Sequence, residues 1–145
     1  MTATTATVPA ERQRVLLAAG VAAVGASAVN VGVALAAPAL GVPPLPQLMP
    51  AGVVAFTLVA AVVGAIGWQL VRRRAADPRR VLTRLVPMVL AVSFVPDVAL
   101  GIATASATGP APVLALALMH VTTIAIAVAV YARLLPAPAR ARSAG

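Results

Sequence analysis

The eleven arginines of this 145-residue chain fall in three short stretches, and long apolar runs separate them. Arg12 and Arg14 precede the first run; Arg72, Arg73, Arg74, Arg79, Arg80 and Arg84 lie at the middle; Arg133, Arg140 and Arg142 close the chain. The connections at 38–48 and 106–112 carry no charge. Basic connections alternating with neutral ones mark a multi-span membrane protein whose basic loops lie in the cytoplasm. Four apolar runs can be drawn, at about 15–37, 49–71, 85–105 and 113–135. Each can cross a hydrocarbon core of about 30 Å as a helix rising 1.5 Å per residue. Inside that core every backbone group needs an internal partner, so continuous apolar runs imply helices, and the weak alternation of a barrel is absent. The expected fold is therefore all-α: a polytopic four-transmembrane-helix bundle with both termini cytoplasmic. Residues 1–14 and the basic tail 136–145 are expected to be disordered.

Composition removes several function classes. An apolar share of 61% and a charged share of 10% lie outside the range of soluble domains. The net charge of +8 does not point to nucleic acid, because the arginines flank membrane runs instead of covering one polar domain. The chain has no cysteine, which excludes disulfides, thiol catalysis and cysteine-ligated metal. It also has no lysine, and its bias toward Ala, Val, Pro and Gly fits a high-GC bacterial genome. The expected location is the bacterial cytoplasmic membrane. A cleaved signal peptide is the competing reading of the first run, with a small-residue site before Pro38. The run is longer than the 7–15 residues or so of a signal core.

Local signals place the helix ends. Pro50 suits the first turn of the second helix, and Asp77-Pro78 reads as an N-cap followed by proline at the first helical position. Pro87 and Pro96 each remove a backbone hydrogen bond from the third helix and can kink it. Trp68 and Tyr131 sit near the arginines, where an aromatic belt would face the membrane interface. Thr57, Ala61, Gly64 and Trp68 make one stripe of the second helix, with small residues that allow close packing.

Few polar residues lie deep in the runs. Asp97 is the only acid there, and His120 is the only histidine of the chain. Both are equally far from the turn centred between residues 108 and 109, so an antiparallel hairpin puts them at one depth. Asn30 and Thr57 fall at a similar level, Ser93 lies four residues before Asp97, and Thr123 three after His120. Asp97, His120, Asn30, Ser93, Thr57 and Thr123 thus form a candidate intramembrane polar site. One reading is a proton or ligand site, since buried ionisable groups are costly and histidine titrates near neutrality. The other is a hydrogen-bonded contact that sets helix register, with Asn30 as interhelical glue. One His and one Asp underfill a metal shell, and a single histidine argues against haem, so no metal or cofactor is expected. Ser93, His120 and Asp97 also invite a hydrolase reading, but G-x-S-x-G is absent around Ser93. The six central arginines set topology and are candidate contacts for anionic lipid.

Three short motifs carry a resemblance: Gly67-Trp68-Gln69-Leu70-Val71-Arg72, Ser93-Phe94-Val95-Pro96-Asp97 and Leu118-Met119-His120. Over about residues 15–135 the chain resembles an uncharacterised bacterial membrane family, domain-of-unknown-function family 6069, common in actinobacteria. Trp68, Ser93, Pro96 and His120 match its pattern. The resemblance implies four spans and a membrane location. It implies no activity and no catalytic residue. The expected role is a structural or partner-binding membrane module, with lipid, a further copy or another membrane protein as partner and no nucleic acid. A small proton-linked carrier using Asp97 and His120 is the second reading, and a membrane-embedded enzyme the third.

Overall fold

The computed structural model describes residues 7–43 and 45–137. Its helices are α1 (Thr7–Ala36), α2 (Pro50–Arg74), α3 (Pro78–Ser93), α4 (Val95–Thr108) and α5 (Ala111–Leu134). The segments Ala10–Leu40, Pro50–Arg74, Pro78–Ala103 and Ala111–Leu134 are long and apolar enough to cross a membrane. The third of these is α3 and α4 together. The two ends of the bundle are called here the basic end, where the arginines gather, and the neutral end.

α1 begins at Thr7, so residues 7–14, expected to be disordered, continue the first span as helix. At 30 residues α1 is about 45 Å long and exceeds a hydrocarbon core. Its first turns therefore project beyond that core, held by polar contacts described below. The neutral link after α1 folds as two 3₁₀ turns, Ala37–Leu40 and Pro46–Leu48. Gly41 closes the first turn in the left-handed region (φ 78°), which L side chains disfavour. Its N–H meets Pro38 O, and the Val42 N–H meets Ala37 O, both at 3.1 Å, the bond pair of a Schellman motif.

The helix starts follow the local chemistry. Pro50 opens α2, and Pro78 opens α3 behind Asp77, whose carboxylate accepts from the Arg80 N–H at 3.2 Å. Gly109 (φ 64°) and Pro110 make the tight turn into α5. Pro87 stays inside α3, whereas the third span breaks at Phe94, just before Pro96. Without an N–H, Pro96 cannot bond the Val92 carbonyl one turn back. The Phe94 N–H turns to Ala91 O at 3.3 Å. The Leu90 carbonyl, which would have received that N–H in a continuous helix, instead accepts from the Ser93 hydroxyl at 2.7 Å.

Packing is uneven. α1 lies against both α2 and α5 along most of its length. Its contact face is a ladder of Ala18, Ala22 and Ala26, all essentially inaccessible, and Ala61 and Ala65 answer from α2. Such small residues let backbones approach closely, the main source of attraction between helices in lipid. α3 leans on α2 and α5, and α4 leans on α5. α4 comes so close that a methyl group on Gly101 would sit 2.7 Å from a Val113 methyl.

The aromatic pair corrects the expectation of an interfacial belt. Trp68 and Tyr131 are buried, with ring centroids 5.8 Å apart. Trp68 Nε1 donates to Leu135 O at 2.9 Å, and the Tyr131 hydroxyl donates to Ala61 O. The rings lie near the basic end but face inward, where both polar tips are satisfied by backbone and not by headgroups.

Candidate functional site

The six polar residues singled out from the sequence separate into two clusters and one isolated side chain. The first cluster joins α1, α2 and α5. The Asn30 amide nitrogen donates to Thr57 Oγ1 at 3.1 Å and to Thr123 Oγ1 at 2.7 Å. Its carbonyl oxygen accepts from Thr122 Oγ1 at 2.6 Å. Both amide hydrogens are used and the oxygen has a donor, so the side chain is matched with only a lone pair to spare. Asn30 and Thr57 are buried. Thr122 completes the set and was not singled out in the sequence; the pair Thr122-Thr123 is the signal, since two adjacent hydroxyls can grip both ends of one amide.

The second cluster joins α4 and α5. Asp97 stands in the first turn of α4, directly after the break, and its side chain is 7% exposed. His120 Nδ1 lies 3.0 Å from Asp97 Oδ2 and 2.9 Å from Leu116 O, the carbonyl one turn earlier in α5. A carbonyl only accepts, and so does an ionised carboxylate. The surroundings thus select the tautomer with its proton on Nδ1. One N–H cannot point well at both acceptors, and Asp97 Oδ2 remains buried without an aligned hydrogen bond. Phe94, at the break itself, presents its ring edge-on to the imidazole, with centroids 6.1 Å apart and planes at 72°. Phe94, like Thr122, is not marked out by residue type; its place between Ser93 and Pro96 is the available clue.

Ser93 is isolated. Its hydroxyl serves its own helix at Leu90 O, so it joins neither cluster. Equal distance from the α4–α5 turn brings Asp97 and His120 to one level. Azimuth around α5, which spacing from the turn does not set, sends Thr123 toward Asn30 and His120 toward Asp97.

A third set of contacts closes the basic end. Glu11 accepts from Gln69 Nε2 and from Arg73 Nη2, the latter at 3.0 Å. Arg72 donates to Gln69 Oε1 at 2.6 Å and to Pro136 O at 3.0 Å. The start of α1, the end of α2 and the residues after α5 are thereby clasped together. The hydrogen bond from Gln69, aided by Arg73, holds the Glu11 carboxyl below its ordinary range. Glu11 lies in the projecting turns of α1, outside the hydrocarbon.

Four lipid-length apolar helices, packed through small residues and fastened by interhelical hydrogen bonds, define a four-span membrane protein. Residues 10–137 match the family of unknown function DUF6069, and the chain belongs to that family. No curated protein and no solved structure matches it.

Proposed function

We propose that this protein is a structural or partner-binding module of a bacterial cytoplasmic membrane, with its basic end and both termini in the cytoplasm. The arginine distribution supports the orientation. The observation that carries the role is the saturation of Asn30. A buried amide whose two donors go to Thr57 and Thr123 and whose oxygen accepts from Thr122 fixes three helices in register and keeps no donor and only one lone pair for a ligand.

The broken third span favours a second reading, a small proton-linked carrier. Interrupted helices in membranes place ionisable side chains and unwound backbone at the level of transported ions. The break at Phe94 with Asp97 one turn beyond it has that form. One experiment separates the two. In a strain whose growth depends on the protein, Asp97→Leu/His120→Leu removes both polar groups and leaves neither unpaired. A module retains function in the folded double variant. A folded but inactive double variant overturns the module reading in favour of the carrier.

A further inference from the structure

The six central arginines divide into two sets with different surroundings. Arg72, Arg73 and Arg74 occupy the last turn of α2, where the helix macrodipole favours cations. Arg72 and Arg73 are further engaged in the clasp with Gln69, Pro136 and Glu11. Arg79 and Arg80 occupy the first turn of α3, where the dipole disfavours cations and the acid at the helix start is the capping Asp77. Arg84 follows Arg80 at the i+4 position, so two like charges stand on one face, an arrangement that weakens a helix. All three are exposed. The chain has three acids against eleven arginines, so at least eight arginines have no acid of their own. The arginines of α2 are sufficient to mark the basic end. Those of α3 outnumber the single carboxylate at its N-cap, Asp77, three to one, and that excess of positive charge is open to an anion from outside the chain.

The face carrying Arg80 and Arg84 continues past Pro87 and Met88 to Ala91, and all of these are exposed. It is cationic for one turn and apolar for the next two. That is the pattern of an anionic phospholipid lying along a helix, with its phosphate at the arginines and an acyl chain below. We propose that the Arg80–Arg84 face of α3, with Arg79 beside it, is a binding site for an anionic phospholipid. Its headgroup phosphate pairs with the two guanidinium groups and offsets the unfavourable charge at the start of α3.

The test is native mass spectrometry of the purified full-length protein in mild detergent with equal amounts of phosphatidylglycerol and phosphatidylcholine. The wild type retains phosphatidylglycerol in preference, and Arg80→Gln/Arg84→Gln lowers that preference by roughly 30-fold, the effect of two membrane-proximal arginines. Arg12→Gln/Arg14→Gln removes the same charge elsewhere and leaves the preference intact, as does Arg72→Gln. If the double glutamine variant does not fold, Arg84→Gln alone is read, with a loss of about fivefold. Equal loss in the Arg12/Arg14 control shows a diffuse charge effect and overturns the site. An unchanged preference in the α3 variant overturns it as well. Displacement of the lipid by excess inorganic phosphate assigns the arginines to a soluble anion and overturns the lipid assignment.

Discussion

The trio α1, α2 and α5 and the broken third span solve the same problem in opposite ways. In the trio, 33%, 28% and 11% of the most apolar windows of α1, α2 and α5 are buried, against 6% for the third span. The trio's polar atoms match one another, donor to acceptor, around Asn30. The third span offers one carboxylate to one histidine, whose N–H is already committed to a carbonyl. A shared lesson is that helix association in lipid depends on close backbones and matched hydrogen bonds, since apolar side chains gain little by leaving lipid for protein. The third span has little of either, except where Gly101 meets Val113.

The largest test of this contrast is steric. Ala22→Leu, at the centre of the alanine ladder, forces α1 from its neighbours and should cost about 3 kcal/mol by overpacking. Ala99→Leu on the exposed side of α4 should leave the melting temperature in detergent unchanged. Equal tolerance at both positions would erase the distinction between the two regions.

Next in size is the asymmetry at Asp97. His120→Ala takes away the imidazole that lies 3.0 Å from the buried Asp97 carboxyl and should destabilise by about 1–3 kcal/mol, the penalty for a buried polar group left without its polar neighbour. Asp97→Leu/His120→Leu should recover most of that loss. Thermal unfolding of the single and double variants checks it, and a double variant weaker than the single one would mean that the pair stabilises the fold directly.

A smaller effect is expected at Asn30. Asn30→Ala should cost about 1–2 kcal/mol, because interhelical hydrogen bonds in membranes are each modest, and because Thr122 already has Met119 O as a fallback at 3.0 Å. Thr57→Val should cost about 0.6 kcal/mol, since it removes one acceptor of three partners. A loss at Thr57 as large as at Asn30 would indicate a network more cooperative than its separate bonds.

The smallest effect is one of pH. The folded Glu11 carboxyl is depressed, so its contribution is fully present above the unfolded value and is lost as pH falls through the folded one. Melting temperature should therefore decline on acidification below about pH 4.5, the ordinary range for a glutamate. In Glu11→Gln that decline should be shallower, and high salt should shrink the difference because the Glu11–Arg73 pair is exposed. Parallel melts of the two proteins across that range measure it.

Much of the architecture could be read in advance because it rests on local chemistry. Arginine placement gave four spans, Asp77-Pro78 the start of α3, and the neutral connection at 106–112 the turn whose symmetry brings Asp97 and His120 level. What escaped prediction depends on contacts between distant residues. The first turns of α1 are held through Glu11 by Gln69 and Arg73, about sixty residues away in sequence. Trp68 and Tyr131 have the same sequence signature whether they face lipid or each other. Pro87 and Pro96 carry equal kinking power by type, yet only Pro96 coincides with a break. The candidate site was legible as a list of residues at one depth, and its partition between two interfaces was not.

The packing of α1 against α5 also has a consequence for synthesis. Asn30 is made early and can meet Thr57 once α2 has followed it into the membrane. Thr122 and Thr123 are translated some ninety residues after Asn30. Until the last span arrives, the amide lacks two of its three partners, and the alanine ladder of α1 has only one helix to lean on. A nascent or truncated chain ending before residue 111 thus carries an unfilled groove and an unsatisfied amide in lipid. Those are features by which a membrane quality-control protease can tell an unfinished chain from a finished one.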